Sequence, residues 1–144
     1  MSSSVDSQEN ITSFVQNRGD ILSSLKMLEE GIISDINIRD NSCDDCTALM
    51  NQAECGTVES MESLLAHKPP ALPNLQDING NTALHYAINS VDGPAIVRLL
   101  LDYGADKTIR DNMGCTALEY ARKYYSDHTE CIEVLESYTP KLRG

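Results

Sequence analysis

The stretch that decides the fold is NTALHYA at residues 81–87, followed by IVRLLLDYGAD at residues 96–106. The triplet Thr-Ala-Leu starts at Thr47, at Thr82 and at Thr116, so its copies begin 35 and 34 residues apart. In each copy, a short apolar stretch, a break and a second apolar stretch follow the triplet. A period of this length predicts an array of stacked supersecondary units, each too small to bury its apolar face alone.

A partial copy precedes the three full ones. The segment GDILSSLKMLEEG, residues 19–31, has the shape of the second apolar stretch, and a helix over about residues 8–16 would complete this first unit. We therefore predict one repeat domain over residues 8–138, between a flexible N-terminus (residues 1–7) and a C-terminal tail (residues 139–144). Its units are predicted at about residues 8–40, 41–77, 78–111 and 112–138.

Within each unit the residue types predict helix, turn, helix and then an extended finger loop. Thr47, Thr82 and Thr116 suit the N-cap of the first helix, where a hydroxyl accepts a free backbone N–H. Thr116 together with Glu119 also matches a capping box. Gly104 suits the left-handed residue that ends a helix.

The third unit resembles an ankyrin repeat, whose pattern is Asp-x-x-Gly-x-Thr-Pro-Leu-His-x-Ala, then Val-x-x-Leu-Leu and Gly-Ala-Asp. The positions that match are Asp77, Gly80, Thr82, Leu84, His85, Ala87, Val97, Leu100, Leu101, Gly104, Ala105 and Asp106. The resemblance implies an all-α ankyrin-repeat solenoid of stacked helix-turn-helix units with extended finger loops. It also implies that His85 is a structural hydrogen-bonding residue.

The other units depart from the pattern. Met50 and Glu119 stand where the family has its histidine, so bonds of that kind between loops are expected only at His85. Asp45 stands where glycine is usual, in a left-handed turn that aspartate tolerates better than most residues. The Pro-rich stretch at residues 67–77 stands in place of Gly-Ala-Asp and predicts an irregular region in the middle of the array.

The resemblance implies a non-catalytic adaptor, scaffold or inhibitor that binds a protein partner on its concave face. That face is formed by finger tips and by the outer positions of the first helices. The residues that map to it are Arg39, Asn41, Asp44, Glu54, Gln76, Ile78, Asn79, Asn81, Tyr86, Asn89, Arg110, Asn112, Met113, Lys123 and Tyr124.

The charge of the chain limits its partners. The formal net charge is −11, which disfavours nucleic acid and anionic membranes through repulsion. The first 72 residues hold 12 acidic and 4 basic side chains, and this imbalance could steer a basic partner into place. The composition predicts a soluble monomer in the cytoplasm, with the nucleus as the alternative location.

Cys43 and Cys46 form the most tempting chemical motif, because the Cys-x-x-Cys spacing suits zinc or a redox pair. A structural zinc site needs four ligands, however, and the sequence has no second pair at such a spacing. We predict no metal, no cofactor and no enzyme activity, and we expect His67 and His128 to be solvated. Two alternative interpretations stay open. The chain could be a metal- or redox-responsive protein, or it could be a piece of a larger ankyrin-containing protein.

Overall fold

A computed structural model of the chain describes residues 7–17 and 20–138. In these two segments all regular structure is helical, apart from one isolated antiparallel bridge between Asp40 and Cys46. The all-α prediction is therefore confirmed. The helices of the described segments are α1 (Gln8–Val15), α2 (Ile21–Glu29), α3 (Ala48–Cys55), α4 (Val58–Leu65), α5 (Ala83–Ala87), α6 (Gly93–Asp102), α7 (Ala117–Tyr124) and α8 (Thr129–Ser137).

The helices form two rows. The first helices of successive pairs contact one another in the order α1, α3, α5, α7, and α4, α6 and α8 do the same in the second row. Within each pair the first helix also contacts the second. Buried side chains from both rows make one core, including Leu49 and Leu84 from the first row and Met61 and Leu100 from the second. Stacking of neighbouring pairs thus hides the apolar faces, as the sequence period requires.

Helices of five to ten residues are marginal alone, so their ends depend on local hydrogen bonds. Thr47 and Thr116 accept the backbone N–H groups of Met50 and Glu119, three residues on. The Glu119 carboxylate returns a bond to the Thr116 N–H, which completes a capping box. At the other end of a pair, Gly104 has φ +94°, the left-handed conformation that closes α6.

The turns before α3, α5 and α7 differ in length. We call residues 40–46, 77–81 and 111–115 fingers one, two and three. Each is closed by a backbone bond from its first N–H to its last carbonyl, at 2.8–2.9 Å. Finger one is two residues longer than the others, and Asp44 and Asp45 both have positive φ there, at 54° and 58°.

The fourth pair carries charge where the third is apolar. Ile88 and Leu101 are buried in the third pair. Aligning the Thr-Ala-Leu triplets places Arg122 at the position of Ile88, and aligning IVRLLLDY (96–103) with CIEVLESY (131–138) places Glu136 at that of Leu101. Arg122 and Glu136 form an ion pair with each other, which joins α7 to α8 on an exposed surface.

Candidate partner-binding face

Each finger is organised by an aspartate at its first position. One carboxylate oxygen of Asp40, Asp77 and Asp111 accepts the backbone N–H two residues further along, at 2.9 Å in all three fingers. In fingers two and three the same oxygen also accepts the N–H of the last finger residue, at 2.9 Å. The carboxylate thus replaces a backbone carbonyl and holds the turn in one conformation.

Asp40 has additional partners, because the first repeat reaches it. Gln8 and Gln16, at the two ends of α1, donate to its carboxylate oxygens at 2.9 and 2.6 Å, and the Ser42 hydroxyl donates at 2.6 Å. Burial acts to raise the pKa of Asp40. The hydrogen bonds from Ser42, Gln16 and Gln8 outweigh it, so the pKa lies below its ordinary value.

Polar side chains tie each finger to the next. Arg39 donates to the Gln76 carbonyl at 2.6 Å, and Gln76 donates to the Arg110 carbonyl at 3.0 Å. The Asn112 side chain donates to the Ile78 carbonyl at 2.9 Å. These side chains were predicted to contact a partner, and the structure shows that they also cross-link the array.

His85 joins the third repeat to the fourth. Its Nδ1 lies 3.2 Å from the backbone nitrogen of Thr82, and its Nε2 lies 3.0 Å from the carbonyl oxygen of Cys115. A proton on Nε2 and a lone pair on Nδ1 satisfy both contacts. The ring is 3% exposed, so the bonds are shielded from water. His85 is placed as a connector, and Tyr120 contacts it edge-on at 5.8 Å between ring centres.

A groove bounded by aromatic rings lies between fingers two and three and α7. It has a volume of about 510 Å³, and Asn79, Asn81, Asp111 and Met113 line its finger side. Tyr120, Tyr124 and Tyr125 line its helix side. A smaller depression of about 130 Å³ shares Asn81, Tyr120 and Tyr125 with it and extends to Glu54 on α3. We call the two together the tyrosine groove.

The side chains predicted to bind a partner divide by exposure. Ile78 and Met113 are 61% and 75% exposed, and Tyr124 is 52% exposed. Arg39, Asn81 and Tyr86 are half-buried. The remaining exposed members are Asn41, Asp44, Glu54, Gln76, Asn79, Asn89, Arg110, Asn112 and Lys123.

Three groove residues, two tyrosines and one aspartate, were missed by sequence reasoning. Tyr120 and Tyr125 lie beside Tyr124 in the sequence and on the same groove, with ring centres 5.2 and 5.7 Å apart in the pairs Tyr120–Tyr124 and Tyr120–Tyr125. The signal was present as three tyrosines between residues 120 and 125. Asp111 was also missed, although Asp40, Asp77 and Asp111 recur at the same position of their units.

The expectation that His67 and His128 are solvated is wrong. Both are half-buried, and Nδ1 of each lies 2.9 Å from a backbone carbonyl oxygen, that of Pro69 for His67 and that of Ile88 for His128. The Ile88 contact links the turn after α5 to the start of α8. Sequence could not show it, because the two residues are 40 positions apart.

Cys43 and Cys46 lie together in finger one. Burial, followed by the hydrogen bond with Cys43, raises the pKa of the Cys46 thiol, which therefore stays protonated. Since the thiolate is the metal-binding and nucleophilic form, this environment disfavours both roles. Across the described residues, no group of three or more His, Cys, Asp or Glu side chains is placed to hold a metal ion. The metal or redox alternative gains no support from this geometry.

Comparisons with known proteins agree with this architecture. Residues 64–121 match the family model described as ankyrin repeats in many copies. The chain is 39% identical over 88 residues to an ankyrin repeat-containing protein of Treponema pallidum (strain Nichols), covering 61% of this chain and 28% of that protein. It is 36% identical over 86 residues to the mitochondrial disaggregase of Bos taurus, covering 58% of this chain and 13% of that protein. The chain thus spans less than a third of the length of the curated relatives it matches.

The structural comparison covers almost the whole chain. The crystal structure of the ankyrin repeat protein EF0377 superposes with a TM-score of 0.74 and 27% identity, over 94% of this chain and 66% of that one. Ankyrin repeats generally mediate protein–protein interactions, and the family is generally non-catalytic. Of the helices described, none is long and apolar enough to cross a membrane. The repeat period, the paired helices, the fingers and these matches together show that this chain is an ankyrin-repeat protein.

Proposed function

We propose that this chain is a non-catalytic binding module that holds one protein partner on the face formed by its fingers and first helices. The observation that carries the proposal is the exposure of Met113 and Tyr124 on the lining of one groove, with Ile78 exposed on finger two next to the groove residue Asn79. Apolar and aromatic side chains that are held rigidly lose little conformational freedom on binding, which favours affinity. By covering or positioning the partner, such a module acts as an adaptor, scaffold or inhibitor.

The charge distribution supports a protein partner over nucleic acid. With a net charge of −11, the chain would repel a phosphate backbone and attract basic protein surfaces. We further propose that the chain is a monomer on its own and lies in the cytoplasm, with the nucleus as the alternative. An odd number of cysteines, five, favours a reducing compartment.

The experiment is affinity capture from a native lysate followed by mass spectrometry, with three forms of the protein. The test variant is Ile78→Asp/Met113→Asp/Tyr124→Ala, which removes the three exposed anchors. The matched control is Leu22→Asp/Val91→Asp/Tyr103→Ala, which makes the same changes at exposed apolar positions outside the groove. Circular dichroism first checks that both variants keep their helices.

We expect a partner that wild type and control retain and that the test variant loses. Truncating one true anchor costs on the order of 2 kcal/mol in binding, or about thirtyfold in Kd. A partner lost only by the control would place the binding face on the second-helix side. A partner retained by all three forms would contradict the proposed face.

A further inference from the structure

The tyrosine groove carries negative charge without a lysine or arginine in its lining, and the His85 imidazole that reaches it is bonded within the array. Among the described residues that line it, Glu54 and Asp111 are the formally charged ones, and none is lysine or arginine. The rest of the lining is mainly tyrosine rings and asparagine amides. The groove therefore combines aromatic rings with the negative charge of Glu54 and Asp111.

Neither carboxylate is matched by a cation. One oxygen of Glu54 accepts a bond from the neutral amide of Asn89 at 3.3 Å, and no ion pair to Glu54 is found in the described part of the chain. Asp111 uses one oxygen for the backbone N–H groups of its finger. Its other oxygen lies 3.9 Å from Nε2 of His85, whose N–H is directed at the Cys115 carbonyl. The exposed Glu54 carboxylate can accept further hydrogen bonds, whereas the Asp111 side chain is only 6% exposed and contributes its negative charge.

The tyrosine rings add attraction for a cation, because the face of an aromatic ring is electron-rich. Burial, followed by the hydrogen bond with Tyr125, raises the pKa of Tyr120 to about 12, so this phenol stays neutral. The chain itself supplies an example at the rim, where the Lys123 ammonium lies 5.2 Å from the centre of the Tyr124 ring. The two neighbouring arginines are engaged elsewhere, Arg110 with Glu119 and Arg122 with Glu136.

We propose that the tyrosine groove receives an arginine side chain from an extended basic segment of the protein partner. The proposal rests on the proposed function and names the chemistry of the partner. A guanidinium is planar, stacks on an aromatic ring and donates several hydrogen bonds to a carboxylate, so it can use the tyrosine rings and the exposed Glu54 together, and the charge of Asp111 favours its approach. An apolar side chain in the same place would remove water from Glu54 without replacing the hydrogen bonds of that water.

The test is a selection of random peptides displayed on phage. Peptides are kept when they bind wild type and fail to bind an Ile78→Ser/Met113→Ser/Tyr124→Ala variant, which removes the anchors without adding charge, so the kept set depends on this face. We expect these peptides to share an arginine at a fixed position. Replacing that arginine by citrulline, which has nearly the same shape without the charge, should weaken binding about tenfold or more.

If the occupant is a cation, two single substitutions in the protein should change the affinity of the arginine peptides in opposite directions. Glu54→Gln keeps the shape and the Asn89 contact but removes a charge, and should weaken the arginine peptides several-fold. Lys123→Glu exchanges a cation for an anion at the rim, and should strengthen them several-fold. Glu133→Gln, an exposed site on α8, is the control that should leave their affinity unchanged. Thermal unfolding monitored by circular dichroism verifies that each variant is folded.

The outcomes separate the inference from the proposed function. Kept peptides anchored by an apolar or acidic residue, or unaffected by citrulline, would overturn the arginine proposal and leave the binding face standing. Equal effects of Glu54→Gln and Lys123→Glu would also overturn it. A selection that yields no peptide dependent on this face would contradict both the inference and the proposed function.

Discussion

The two joints between fingers are built from the same repeat and are held differently. Between fingers two and three, Asn112 donates its backbone N–H to the Asn79 carbonyl at 2.9 Å and its side chain to the Ile78 carbonyl at 2.9 Å. Between fingers one and two, Ile78 donates its backbone N–H to the Asp44 carbonyl at 2.8 Å, and its apolar side chain cannot add a second bond. The backbone hydrogen bond between neighbouring fingers repeats, whereas the side-chain bond made by Asn112 has no counterpart at Ile78.

A second difference lies beneath the fingers. His85 connects the third repeat to the fourth through Cys115, but Met50 occupies the equivalent position of the second repeat and offers no ring nitrogen. Finger one compensates through Asp40, which binds two glutamines of α1. Neighbouring repeats therefore meet in the same arrangement throughout the array, although the hydrogen bonds that hold them together differ from one pair to the next.

The largest expected loss of stability concerns Gly80 of finger two, which lies against the backbone of finger three. A Cβ added at Gly80 would lie 2.7 Å from the backbone nitrogen of Asn112, and Gly80 has φ +81°. We expect Gly80→Ala to lower the free energy of unfolding by about 3 kcal/mol, through crowding added to left-handed strain. Denaturant unfolding followed by circular dichroism measures it.

The control is Gly114→Ala in finger three. Gly114 also has positive φ, at +85°, but no heavy atom lies within 4 Å of its added Cβ. Strain alone should cost about 1 kcal/mol there. Equal losses at the two sites would mean that the close approach between fingers two and three is absent in solution.

The next prediction replaces the histidine of the third repeat by the methionine that the second repeat has at the same position. His85→Met gives the third repeat the residue of the second, and it should lower the free energy of unfolding by about 2 kcal/mol because it leaves the buried Thr82 N–H without a partner. The reference is Met50→Leu, a volume-conserving change that should cost about 1 kcal/mol or less. If His85→Met proved as mild as Met50→Leu, the imidazole would not contribute to the joint.

Finger one should show its own dependence on pH. Asp40→Asn removes an acceptor that is buried in the array, and at neutral pH it should lower the free energy of unfolding by about 1–2 kcal/mol. Because the folded-state pKa of Asp40 lies below its ordinary value of 3.8, its contribution is present above 3.8 and is lost as the pH falls through the lower folded-state value.

The difference between wild type and Asp40→Asn should therefore shrink in that acidic range. Urea unfolding at a series of pH values measures it. Asp44→Asn, an exposed carboxylate on the same finger, serves as the control and should show little change. A difference that stays constant down to the lowest pH would contradict the assignment to the Asp40 carboxylate.

The smallest effect is a gain. Asp45 has φ +58°, so Asp45→Gly should raise the free energy of unfolding by about 0.5 kcal/mol, since relief of left-handed strain exceeds the freedom that glycine adds to the unfolded chain. Thermal unfolding measures it. Asp127→Gly, at an exposed turn aspartate without positive φ, should instead destabilise the protein slightly. If Asp45→Gly lowered the free energy of unfolding as much as Asp127→Gly does, residue 45 would not be strained in the left-handed conformation.

The sequence predicted the features that depend on neighbouring residues. A threonine hydroxyl and the N–H three positions on, or a glycine after a helix, lie within one turn of chain, so the repeat spacing alone located them. The all-α ankyrin architecture followed from the same spacing and is confirmed. Which polar side chains bridge fingers could not be predicted in this way. Arg39 and Gln76 reach carbonyls 37 and 34 residues away, and those contacts exist only once the repeats stack.

The candidate site was predictable in outline only. The repeat pattern selected Ile78, Met113 and Tyr124, whose exposure follows from their positions on finger tips and on the outer side of α7. It did not select Tyr120 and Tyr125, because a half-buried tyrosine in a helix resembles a core residue in sequence. Their share in a groove depends on how α7 sits against the fingers. The binding role of all these residues stays a prediction.

The Arg122–Glu136 pair bears on how such an array can grow. A repeat duplicated within the chain brings apolar surface to each junction, and it is accepted wherever its neighbours also offer apolar surface. Beyond the fourth pair, a new unit would have to bury two charged side chains that now bond to each other in water. Lengthening by duplication is therefore favoured between existing repeats, where both neighbours offer apolar surface.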